Sequence, residues 1–102
     1  MSNADIKTIA GSWSNEDNAW VSETLCLTGD AYLEATLTGK GRLVVKKAES
    51  LEGPWPKALT TPWTGPGFRI RLYGSTKGRY VRIYLTDTPV AIQLVNTSGH
   101  AV

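Results

Sequence analysis

FRIRLYGSTKGRYVRIYLTDTPVAIQLV, residues 68 to 95, contains three runs that alternate apolar with polar side chains, separated by two short polar connections. Successive side chains of a strand point to opposite faces. Phe68, Ile70 and Leu72, then Val81, Ile83 and Leu85, then Val90, Ile92 and Leu94, therefore predict three strands with one apolar face. The complementary set is Arg69, Arg71, Tyr73, Tyr80, Arg82, Tyr84 and Gln93. With Thr86-Asp87-Thr88-Pro89 as a turn, Leu85 is expected opposite Val90, Ile83 opposite Ile92 and Val81 opposite Leu94, giving a β-meander whose outer face is rich in arginine and tyrosine.

Upstream, Ala31, Leu33, Ala35 and Leu37 form another inward set, with Tyr32, Glu34 and Thr36 outward. Gly39-Lys40-Gly41 reads as a hairpin loop pairing Leu37 with Leu43 and Ala35 with Val45, after which Lys46 and Lys47 are expected to leave for water. In Trp20 to Leu27 the inward set is read as Val21, Leu25 and Leu27, with Glu23 at a rim, and Cys26 as a small buried hydrophobe. Ile6 to Trp13 reads as an edge strand or as a terminal arm, the arm taking in residues 1–10. Residues 49–67 hold four of the five prolines and two tryptophans. Proline cannot donate to a ladder, so this stretch is expected to be loop, with at most a short edge strand around Ala58 to Thr61.

The chain of 102 residues is one domain with a single small core. Strand spacing, turn signals and the lack of a helical period define an all-β antiparallel β-sandwich of about seven or eight short strands, Ig-like or jelly-roll. One cysteine excludes an internal disulfide, and no signal peptide or membrane-spanning run occurs. The net charge is +2, but residues 1–52 carry eight acids and five bases whereas 53–102 carry one acid and six bases, about −3 against +5. That asymmetry suits packing between copies or one basic face.

Catalysis by general acid and base requires ionisable groups gathered in a cleft. The single histidine, His100, lies in a tail of turn formers, and no phosphate-loop, dinucleotide or metal spacing occurs. The expectation is no enzyme, no cofactor and no metal. Arg69, Arg71, Tyr73, Tyr80, Arg82 and Tyr84 have the composition of a protein interface, a reading ranked just above an ordinary solvated sheet held by Arg–Tyr cross-strand contacts and well above a nucleic-acid platform. Trp55 and Trp63 could stack on a sugar, or at least one of them could close the open end of the sandwich.

Gly41-Arg42-Leu43-Val44-Val45-Lys46-Lys47 running into Ser50-Leu51-Glu52-Gly53-Pro54-Trp55, and then Gly78-Arg79-Tyr80-Val81-Arg82-Ile83, resemble segments of short bacteriophage virion proteins of β-sandwich fold. The similarity spans residues 28–95. It departs where that class commonly has Asp-Gly-Gly before the tryptophan and this chain has Leu51-Glu52-Gly53-Pro54. The resemblance implies a capsid, decoration or tail protein, located in the virion after synthesis in the host cytoplasm. Its partners would be copies of itself or other virion proteins. The alternative is a carbohydrate-binding or host-attachment module using Trp55 and Trp63; nucleic acid and membrane are not the expected partners.

Overall fold

The computed structural model describes residues 6–74 and 79–96. Lys77, His100 and the first half of the expected arm lie outside them. Among the described residues there is no helix, and none is long and apolar enough to cross a membrane. Ten strands build two antiparallel sheets packed face to face, a β-sandwich: β1 (Ile6–Thr8), β2 (Gly11–Ser14), β3 (Ala19–Ser22), β4 (Leu25–Cys26), β5 (Ala31–Thr36), β6 (Gly41–Ala48), β7 (Lys57–Trp63), β8 (Gly67–Leu72), β9 (Tyr80–Leu85) and β10 (Ala91–Asn96). The smaller sheet has the order β1-β10-β5-β8; the larger has β2-β3-β9-β6-β7, with β4 beside β3 on the same edge of β9. Where seven or eight strands are expected, the N-terminal third has broken into four short pieces.

The strands pair as a nested series. β6 pairs β7, β5 pairs β8, β3 pairs β9 and β1 pairs β10, all antiparallel, and successive pairs fall alternately in the larger and the smaller sheet. The expected meander is therefore absent. β8 and β10 belong to the smaller sheet and β9 to the larger, so Leu85 meets Leu43 and Trp20 rather than Val90, and Ile92 meets Ala35 rather than Ile83. Val90 lies in the connection and is 67% exposed. The hairpin expected across Gly39-Lys40-Gly41 is likewise an arch between sheets, so Leu37 and Leu43 face one another's layer instead of sharing a ladder.

The core has the alternation that the sequence carries. Leu33, Leu43, Val81, Ile83 and Leu85 are completely buried, with Leu25, Val45 and Leu94 close behind. Burying a side chain of this size contributes about 1.5–3 kcal/mol, and here two sheets supply the apolar wall from both sides. In β3 the phase is opposite to expectation, with Trp20 and Ser22 inward and Val21 only half-buried. Trp20 lies over Gly11, where any side chain would collide with the indole. The phase is restored at Leu25 by a break at Glu23-Thr24. There the Ser22 hydroxyl accepts the Ile83 N–H (2.9 Å) and donates to the Glu23 carbonyl (2.7 Å), filling the gap in the ladder with a side chain. Cys26, opposite Tyr80, is consequently exposed rather than buried.

Residues 57–63 form a full edge strand, longer than the four residues expected. Pro62 opposite Arg42 is tolerated because β7 has no neighbour on its other side. Lys46 and Lys47 do not leave the sheet, since β6 continues to Ala48.

Candidate interaction surfaces

Division between sheets splits the arginine-tyrosine set. Arg69 and Arg71 stand on the outer face of the smaller sheet, with Tyr73 just beyond β8, whereas Tyr80, Arg82 and Tyr84 alternate with the buried residues of β9 on the outer face of the larger sheet. The two faces look in opposite directions. A single six-residue surface does not exist, because the strands that bear it are not neighbours.

On the smaller sheet the cations are matched. Arg69 Nε lies 2.9 Å from Glu34 Oε2 and its guanidinium sits 3.8 Å from the Tyr32 ring centroid. Gln93 Nε2 donates to the other Glu34 oxygen at 2.9 Å. Arg71 Nη2 is 3.2 Å from Asp30 Oδ2, and Asp30 Oδ1 accepts the Gly74 N–H at 3.1 Å. Glu34 directly opposes Arg69 in the register, so the pairing follows from the fold. Such exposed pairs contribute at most about 1 kcal/mol each; they fix orientation.

The outer face of the larger sheet lacks this matching. Arg82 Nε donates to Thr24 Oγ1 (2.9 Å) and its guanidinium lies 4.1 Å from the ring centroid of Trp55, which is half-buried by the contact. The Lys46 ammonium is 4.4 Å from the Tyr84 ring. Sequence reasoning separated these partners, putting Trp55 in a loop and Lys46 in solvent. Trp63 belongs to the core instead: its indole packs on Phe68 at 5.6 Å between centroids, its Nε1 donates to the Gly39 carbonyl, and it covers Gly41 so closely that a Cβ there would collide. Of the two indoles considered for sugar stacking, Trp63 is thus unavailable.

Between the edge strands β7 and β8 the sandwich opens into a groove of about 520 Å³ lined by Val45, Leu59, Leu72, Pro56, Tyr73 and Lys47, among others. Lys47 is opposite Val81 and shares the inward face with Val45. It is only 7% exposed, and its Nζ donates to the Tyr73 carbonyl. Burial pushes its pKa below the ordinary 10.5, while the Asp30 carboxylate pulls it partly back. Position parity was the available signal: Lys47 continues the series Leu43, Val45. The opposite flank, formed by β1 and β2, exposes Ile6 (59%) and Trp13 (44%). Among the described residues no group of three or more His, Cys, Asp and Glu side chains comes together to hold a metal ion.

No protein-family model matches the chain, and no curated protein or solved structure matches it either.

Proposed function

We propose that the chain is a non-enzymatic structural protein that acts by protein–protein assembly, as a capsid, decoration or tail component of a bacteriophage particle. The observation that supports it best is the nested strand order. With β2 and β4 set aside, β1-β10-β5-β8 faces β3-β9-β6-β7, a doubled-back ribbon of four strand pairs rolled into two sheets. We infer that the sandwich is a jelly roll, the eight-stranded architecture used by viral capsid domains as well as by lectins.

The flank formed by β1 and β2 suits assembly. Natural edge strands are blunted by charge, proline or bulges. β7 has Pro62 and a register shift at Val45/Lys46. β2, Gly11–Ser14, has neither charge nor proline, and the one charge of β1, Lys7, is drawn to Glu23 at 3.6 Å. Sedimentation over a concentration series at low salt tests the reading: the parent is expected to form oligomers that dissociate as salt rises, because the oppositely charged halves of the chain, about −3 for residues 1–52 against +5 for residues 53–102, supply exposed ionic contacts that salt screens. A parent that remains monomeric at high concentration and low salt defeats self-assembly.

A further inference from the structure

The register of the larger sheet sets cations side by side. On its outer face Arg82 of β9 is directly opposite Lys46 of β6, and Lys46 is directly opposite Lys57 of β7. Neighbouring strands lie about 4.7–4.9 Å apart. Arg42, on the same face of β6, extends the row. Like charges in directly opposed positions destabilise a sheet, yet among the described residues no carboxylate forms an ion pair with any of these four. The smaller sheet, with Arg69 on Glu34 and Arg71 on Asp30, shows that the same fold can neutralise its outward cations. On the larger sheet rings replace carboxylates, Tyr84 beneath Lys46 and Trp55 beside Arg82, which orient the cations and leave their charge in place. A hollow of about 230 Å³ is walled by Arg42, Lys46, Lys57 and Tyr84 together with one acid, Asp17, which accepts a hydrogen bond from Ser14 at 2.8 Å and forms no ion pair with the three cations.

We propose that this face binds single-stranded nucleic acid, with phosphates along Arg42, Lys46, Lys57 and Arg82 and bases against the aromatic side chains between them. An unneutralised row of cations is complementary to a polyanion. Two of its members are lysines, a residue type depleted where proteins meet proteins, so the row fits phosphate better than an acidic protein surface. Half-buried Tyr84 and Trp55 supply stacking surface, and a guanidinium laid on an indole offers its other plane to a base. Among the described residues the face is a sheet without a helix or projecting ribbon to enter a duplex groove, which selects the single strand. The proposal is independent of the assembly reading: a monomer that binds keeps it, and an oligomer that does not bind loses it.

The test is fluorescence anisotropy of labelled oligothymidylate titrated with the full chain. Binding should weaken with salt along a log–log slope of about −2 to −3, as four phosphates neutralised at about −0.7 each require. Replacing Lys46→Gln together with Lys57→Gln should lower affinity at least about tenfold and flatten the slope by about 1.4. Arg69→Gln, on the opposite face, should change neither. Because the double variant relieves opposed like charges it should melt no lower than the parent; should it melt lower, Arg42→Gln, outside the opposed triplet, replaces it, and is expected to weaken binding in the same direction. Absence of salt-dependent binding at low salt overturns the proposal, as does an equal loss in Arg69→Gln. Competition by polyglutamate or by duplex DNA as effective as by unlabelled oligothymidylate also overturns it, since an acidic protein surface or any polyanion would then suffice.

Discussion

Ile83 and Tyr84 are neighbours on β9 with opposite surroundings, the first completely buried between the sheets and the second half-exposed beside Lys46. Ile83→Ala should destabilise the fold by about 2–5 kcal/mol, because the cavity relaxes only partly, whereas Tyr84→Ala should cost less. Urea denaturation that ranks them the other way would mean the sheet is inside out. Lys47 makes a sharper residue-scale case. Its pKa is lowered by burial, so between the folded value and 10.5 the unfolded chain binds the extra proton. Stability then rises with pH across that window. Lys47 therefore carries a deficit at neutral pH that lifts under alkaline conditions, and Lys47→Met should remove that dependence. Denaturation of both chains from neutral pH to 10.5 should show the parent gaining on the variant. The residue's burial was legible in its parity and was overruled by its charge; a four-carbon stem along the groove with its ammonium on the Tyr73 carbonyl reconciles the two.

At the scale of elements, alternation revealed which side chains of β5, β6 and β9 are buried, but not those of β3, whose phase is reversed, and it revealed little of the pairing. A hairpin and an arch between sheets both turn apolar faces inward, so Leu37 and Leu43 satisfy either. That is why the inward sets of β5 and β9 were readable while the pairing of β5 with β8, and of β9 with β6, was not. The phase slip between β3 and β4 was hidden for a related reason: it depends on Ser22 completing a ladder with β9, sixty-one residues away in sequence. Ser22→Ala would leave the Ile83 N–H buried without its acceptor. The cost should be about 1–3 kcal/mol, the penalty of an unsatisfied buried donor, and the Ile83 amide should exchange with solvent faster than in the parent. An unchanged exchange rate would mean that the backbone closes the gap unaided. The interaction surface was legible as residue types and illegible as a place, since the arginines and tyrosines of residues 69–84 are shared between opposite faces.

For the whole molecule, that division makes assembly separable. Arg71→Glu and Arg82→Glu lie on opposite outer faces, so if copies associate through one face only one substitution should shift the sedimentation profile toward monomer; equal effects would place the contact elsewhere, with charge acting at long range. The nested pairs also predict an order of closure during folding. β6 and β7 meet across a short connection, whereas β1 has its ladder partner in β10, at the other end of the described chain. The entropy of closing a loop grows with the length of free chain it encloses, and each inner pair shortens the loop left for the next. The ribbon is thus built to zip from its middle outward. Folds dominated by such distant pairings take about milliseconds to seconds to form. Until the last pair closes, β10 is paired with β5 on one side and open on the other, so a nascent or partly opened copy carries an unfilled sheet edge the length of β1.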